Sequence, residues 1–320
     1  MENTLGNNQL NKEVKKQKLK KGKEGSILSR RGPMEKVLFA IVFVIFTLYA
    51  ITLLFPFYYL ILNSFKGAYE YIKHLNASST LSMPARFELE NYVEAFVSMN
   101  MVNSLGEKVY LPSMFLNSIW YTVAHVGAGI LASSLTAYCL AKYNFGLRGF
   151  FHGLAIFSMT IPIIGTTGAA FRLYFELKLY NTLLVPLIAG FSGFGMNFLI
   201  MYGFFRNLSW SYAEAAFIDG AGHAKVFFSI MMPQAWPPIL TLSIMSFIGA
   251  WNDYATPLLY MPDFPTIASG IYRIKVSLTR SGDYPVYFAG LVVSMIPVLA
   301  IFIGFSKTIM QNFTVGGLKG

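Results

Sequence analysis

The chain has little of what most reactive sites are built from. It holds a single cysteine, Cys139, among 320 residues, which excludes an internal disulfide and any metal site made of several thiolates. Cys139 sits inside an apolar run, where a lone thiol acts as a small packing group and leaves the redox compartment open. Charge is scarce as well: 12% of residues are Asp, Glu, Lys or Arg against 55% hydrophobic, and a soluble globule carries about twice that charge. Histidine occurs four times; His125 and His152 lie in apolar segments with no second His or Cys at ligand spacing, so they read as interhelical hydrogen-bond formers and no metal is expected. No Ser/His/Asp, Cys/His or paired-carboxylate grouping suggests a reaction, and the chain is not expected to be an enzyme. The phosphate-cradling pattern Gly-x-x-x-x-Gly-Lys-Ser/Thr is also missing, so no cofactor is expected to be bound by this chain.

What is there is apolar length. Six segments of about 20 to 26 residues, 37–62, 118–140, 150–171, 183–205, 239–260 and 286–305, can each cross a hydrocarbon layer of ~30 Å at 1.5 Å per residue. Spanning backbone must satisfy its own hydrogen bonds, and these runs are too long for barrel strands, so the expected fold is an all-α integral membrane protein with six transmembrane helices. Pro56, Pro162, Pro186 and Pro297 fall inside these segments, as kinks or as tolerated packing irregularities.

Charge sets the orientation. Ten of the 25 basic residues lie in the first 36 positions against four acids, which makes 1–36 a basic, disordered cytoplasmic tail, in preference to a nucleic-acid arm, by the positive-inside rule. The first apolar run is too long for a cleavable signal and should remain as an anchor. Residues 64–117, 172–182 and 261–285 then lie outside, 141–149 and 206–238 inside, and both termini are cytoplasmic. The short inside loop carries Lys142 and Arg148 and no acid, whereas 64–117 carries Glu70, Glu88, Glu90, Glu94 and Glu107 against four bases. The last outside loop, with Arg273, Lys275 and Arg280 against Asp263 and Asp283, is mildly contrary.

The longest inside connection, 206–238, contains "SWSYAEAAFIDGAGHAKVFFSIMMP". Ser211 followed by Glu214 is a capping-box spacing that starts a helix at Tyr212, Gly220 and Gly222 end it, and a second amphipathic helix runs over 223–232 with Val226, Phe227 and Ile230 on one stripe before Pro233 stops it. Ala215 and Ala216 make the first helix thin enough for another backbone to come close, and Glu214 and Asp219 add charge. Periodicity alone leaves this either a plain connector or a docking surface for a soluble partner.

This stretch resembles the EAA loop of binding-protein-dependent ABC importer permeases: Glu214, Ala215, Ala216, then Asp219, Gly220, Ala221, then Ile230 and Pro233. "FLNSIWYT", "AYCLAKYNFGLRG", "FIGAWNDYATPLLY", "FELENYVEAF" and the ending "FTVGGLKG" are similar to the carbohydrate subfamily, specifically its maltose-type second permease. The resemblance covers residue 50 or so to the end; the basic tail lies outside it. It implies a type I ABC importer permease fold over 37–320 in a bacterial cytoplasmic membrane. It also implies a second homologous permease subunit, an extracellular solute-binding protein, a sugar or oligosaccharide cargo, and two ATPase subunits that hold the ATP and Mg. A glycerol phosphate or polyol cargo is the near alternative, and half of an ion-coupled secondary transporter the distant one.

By the same resemblance, Glu214, Ala215, Ala216, Asp219, Gly220 and Ala221 couple the chain to the ATPase. Asp253, the only acid in any of the six segments, lies roughly 21 Å along the fifth, where it needs a partner or water. With Trp251 and Asn252 it either lines the solute path or locks the fifth helix to a neighbour. Gly270, Ile271 and Tyr272, within 270–274, are the expected tip of an outside loop that reaches into the binding protein, with a plain connector as the alternative.

Overall fold

The computed structural model describes residues 32–161, 165–278 and 283–315, with side chains to 306. The expected basic tail therefore lies almost wholly outside the described residues, as do Pro162, Arg280 and the terminal Gly-Gly-Leu-Lys-Gly. The described residues fall into two compact units, divided between Tyr59 and Leu60.

The first unit is carried by helix α1 (Pro33–Ser64), which begins four residues earlier than expected because Pro33 is pre-set for a first helical position, where its missing N–H costs nothing. It is apolar on every side, as a span in lipid is. Thr47 and Thr52 return their hydroxyls to the carbonyls of Phe43 and Tyr49, 2.8 and 2.7 Å away, so neither exposes an unpaired polar group.

The second unit is organised on α4 (Leu111–Lys142). Before it come α2 (Ala68–Asn76), α3 (Glu90–Ser98) and an antiparallel hairpin, β1 (Asn100–Val102) and β2 (Lys108–Tyr110), in the register Asn100↔Tyr110. After it run α5 (Arg148–Thr160), α6 (Thr167–Glu176), α7 (Val185–Gly190), α8 (Met196–Asn207) and α9 (Ser211–Ile218). Then follow α10 (His223–Val226), a π-helical turn (Phe227–Met231), α11 (Met232–Gln234), α12 (Trp236–Trp251), α13 (Ala255–Tyr260), α14 (Ile267–Ser277) and α15 (Tyr284–Val315).

Three helices among the described residues, α1, α4 and the Tyr284–Ser306 part of α15, are long and apolar enough to cross a membrane unaided. The other three apolar segments are each broken in two. The third divides between α5 and α6, the fourth between α7 and α8 at Phe191–Gly195, and the fifth between α12 and α13 at Asn252–Tyr254. Pro186 starts a helix and does not kink one: it occupies the first turn of α7.

Packing against α4 positions the end of α7. A Cβ on Gly190 would lie 2.2 Å from the backbone oxygen of His125, and one on Gly129 would lie 2.9 Å from the Gly190 oxygen. The two backbones touch, which only glycine allows. At the Lys142 end, the core contains Tyr138, Phe198, Met201, Phe205, Phe227 and Met231.

The Leu111 end is held by polar knots. Lys66 is fully buried, its ammonium donating to Asn63 Oδ1 at 2.9 Å and to the Thr80 carbonyl at 2.6 Å. Burial lowers its pKa, and the charge of Glu70 opposes that shift. Asp263 accepts from the Ser104 N–H at 2.7 Å, from the Ser104 hydroxyl and from the Asn181 amide, which ties the hairpin turn to the connections before α7 and α14. Burial alone would raise this carboxyl; the donors from Ser104 and Asn181, with Arg273 nearby, outweigh it and hold the pKa below the ordinary value.

Two outcomes follow from this packing. Gly190→Ala should destabilise the purified protein by about 1–3 kcal/mol, because a backbone oxygen cannot move aside as a side chain can; thermal unfolding in detergent measures it. Asp263, with its folded pKa depressed, stabilises the fold above its unfolded pKa of about 4, and that contribution is lost as pH falls through the lower folded value. Melting midpoints taken from about pH 6 down to pH 3 should drop more steeply for the wild type than for Asp263→Asn.

Candidate functional site

The loop between α8 and α12 is a helix, a tight turn and a second helix, but its start differs from expectation. Trp210, not Ser211, is the cap: its carbonyl accepts from the Ala213 and Glu214 N–H groups at 2.9 and 3.1 Å. The Ser211 hydroxyl is instead shared with Ser209 at 2.7 Å, so the capping box does not form. The Glu214 carboxylate is left exposed, with no ion-pair or hydrogen-bond partner among the described residues.

The end of α9 is as its glycine demands. Gly220 has φ +78°, its N–H bonds the Phe217 carbonyl at 3.0 Å, and the Ala221 N–H reaches back to Ala216 at 2.9 Å. This is the 6→1 and 5→2 pair of a Schellman turn. Gly222 does not end α9; it precedes α10 in extended conformation. Pro233 does not stop the second helix either. The π-helical turn just before it lets the Met232 N–H bond the Phe227 carbonyl one residue further back, so the helix has widened where the proline ring would clash with the preceding turn.

The faces of α9 divide sharply. Ala213 and Ala216 are buried, Ala216 at 7% exposure, in the core they share with Phe227 and Met231. Ala216 thus packs against its own subunit and is not presented outward, because it sits one turn from Ala213 on the same side of the helix. Tyr212, Glu214, Ala215, Ile218 and Asp219 form the opposite, open side, with Ile218 86% exposed.

Three groups at the end of α4 bolt this loop in place. The Lys142 ammonium donates to the Leu208 carbonyl. Tyr143 shares a 2.7 Å hydrogen bond with His223 Nδ1, and Tyr138 packs on Phe205 and Phe227 at ring separations of 5.5 and 5.0 Å. None of these contacts was legible beforehand, since each joins residues 66 to 89 positions apart.

The same helix holds the second group of candidates. The Tyr121 hydroxyl donates to Asp253 Oδ2 at 2.6 Å, while Asp253 Oδ1 accepts the N–H groups of Ala255 and Thr256, each at 3.1 Å. Asp253 therefore opens α13 and locks it to α4. Trp251 is 4% exposed, wedged against Phe115 and Phe247, and its indole N–H donates to the Ser294 carbonyl of α15 at 3.1 Å. Asn252 is exposed, its amide donating to the Ile248 carbonyl at 2.8 Å. Gly270 and Ile271 form no loop tip: they lie buried in α14 against α4, where Gly270 faces Met114. Only Tyr272 of that trio is exposed, and it stacks on Tyr254, which sequence reasoning passed over, at 4.7 Å.

Residues 126–313, from the middle of α4 through the loop, the break and α15, match the family described as binding-protein-dependent transport system inner membrane component. The chain belongs to this family. It is an inner-membrane transport subunit, and its fold is that of an ABC importer. A solved bacterial ABC transporter that imports alginate superposes with a TM-score of 0.69 over 87% of this chain and 98% of that one, at 22% identity. The diacetylchitobiose uptake permease NgcG of Streptomyces coelicolor is 30% identical over 85% of this chain and 86% of its own length. The arabinooligosaccharide permease AraQ of Halalkalibacterium halodurans is 29% identical over 86% of this chain and 94% of its own.

The Tyr121–Asp253 bond gives this transport subunit a measurable lock. Tyr121→Phe should cost about 1–3 kcal/mol by leaving a part-buried carboxylate without one donor. In a double-mutant cycle of thermal unfolding, Asp253→Asn added to Tyr121→Phe should destabilise less than the sum of the two single changes.

Proposed function

We propose that this chain is one permease half of an ATP-driven importer for a sugar or oligosaccharide. An extracellular binding protein delivers the cargo, and two separate ATPase subunits grip the α9–α10 loop from the cytoplasm. The observation that carries the coupling role is the open side of α9. Glu214, Ala215, Ile218 and Asp219 stand unpartnered on a short helix whose other side is anchored in the subunit's own core. A charged group beside an exposed isoleucine suits a cleft that closes on it and excludes water. The cargo class is supported by the relatives, which are named for diacetylchitobiose and arabinooligosaccharides.

In this reading the six apolar segments make six crossings, three as continuous helices and three as broken pairs, with both termini inside. Broken helices are tolerated at membrane depth where protein or water, not lipid, faces the gap. ATP binding and the loaded binding protein then shift an inward-facing to outward-facing equilibrium by their differential affinity for the two states. Trp251 and Asp253 serve as structural locks in this scheme.

The test is uptake in cells that express the full transporter, using labelled diacetylchitobiose, an arabino-oligosaccharide and glycerol phosphate. One of the two sugars is expected to accumulate; accumulation of glycerol phosphate alone would transfer the cargo to the polyol class. Glu214→Lys should reduce uptake by about tenfold or more and weaken co-purification of the ATPase, through charge reversal at a desolvated contact. Wild-type uptake in that variant would remove the coupling role.

A further inference from the structure

The break between α12 and α13 carries a feature that the locks do not use. Tyr254 and Tyr272 stack with ring centroids 4.7 Å apart and planes 23° from parallel, yet they remain 46% and 42% exposed. Neither hydroxyl has a hydrogen-bond partner among the described residues. Asn252, two residues before Tyr254, is exposed and spends only its N–H on Ile248. Asp253, between them in sequence, turns the other way and is engaged by Tyr121 and by the start of α13.

Depth gives the exposure a meaning. α12 rises roughly 24 Å from Trp236 to Trp251, so on the crossing proposed above Asn252–Tyr254 fall within a ~30 Å hydrocarbon layer, toward its outer side. Irregular backbone at that depth does not face lipid; it faces protein or a water-filled cavity. Tyrosines that anchor a helix at the membrane boundary sit beside lipid headgroups, whereas this pair flanks a helix gap and keeps an amide nearby. The stacked rings brace one another and leave an outer aromatic face open; that face, with free hydroxyls and an unspent amide oxygen nearby, matches a sugar ring, which offers an apolar C–H face to an aromatic plane and hydroxyls to polar neighbours.

We infer that Tyr254 and Tyr272, with Asn252, form a platform on which a ring of the transported sugar rests as it enters the path between the permease halves. This rests on the sugar-import reading. It moves the solute contact from Trp251 and Asp253, which are internally engaged, to the exposed side chains at the same break.

The experiment uses the complete transporter with Cys139→Ser as background, since Cys139 is the chain's only thiol. Asn252→Cys and Tyr254→Cys are probed separately with a membrane-impermeant cationic methanethiosulfonate, and Leu105→Cys in the exposed hairpin turn serves as the reactive control. Both break positions are expected to react in the ATP-bound complex. Tyr254→Ala should lower uptake of the accepted sugar by about tenfold, the consequence of losing one aromatic stacking contact, with the second permease and ATPase still co-purifying. Tyr254→Phe and Tyr254→Trp should retain most uptake, because the ring face and not the hydroxyl is what they preserve. Unreactive cysteines beside a reactive Leu105→Cys would overturn the platform, as would loss of the second permease from Tyr254→Ala complexes, which would make the pair a subunit interface. If 252 and 254 react but no sugar enters through the wild-type transporter, the import reading fails and the sugar platform with it, while the hydrated break stands.

Discussion

The structure depends on α4 being held at two levels. Near its Lys142 end, Lys142, Tyr143 and Tyr138 grip the α9–α10 loop. Twenty-one residues earlier, roughly 30 Å along the axis, the Tyr121 hydroxyl grips Asp253 at the break in the fifth apolar segment. One helix thus touches both places where the chain has chemistry to offer. A close-packed interior transmits displacement and does not absorb it, so a shift of the loop must either carry α4 with it or break these contacts.

The middle of that rod is held by closeness. Gly190 meets the His125 carbonyl where no side chain would fit, so the end of α7 lies directly on α4. The fourth segment breaks just beyond this contact, with Gly193 beside Thr136, and the fifth breaks nearer the start of α4, at Tyr121. In a soluble protein such gaps would be ordinary loops; in a bilayer each one restricts what its exposed side can face.

Much of the architecture was legible as pattern. Apolar length marked the six segments, and the Glu-Ala-Ala and Asp-Gly-Ala spacing marked the loop, with Gly220 in the left-handed conformation that its turn needs. Local rules failed where tertiary contact outweighed them. Ser211 and Glu214 have capping-box spacing, yet Ser209 takes the Ser211 hydroxyl and Trp210 caps the helix. Pro233 should end a helix, but a π turn widened around it. Ala215 and Ala216 look equivalent in sequence, and helical phase places them on opposite sides of α9.

The sequence by itself determined that this is a membrane protein of helices, and that the polar interruption at 206–238 contains a tight glycine turn. Both are properties of neighbours along the chain: hydropathy summed over about 20 residues, and backbone freedom at one position. Only the tertiary structure decided that Trp251 is buried, that Asp253 is a lock whose partner lies 132 residues earlier, and that Tyr254 and Tyr272 meet face to face. Those facts depend on which surfaces of distant helices come within bonding distance, and no local periodicity encodes that choice.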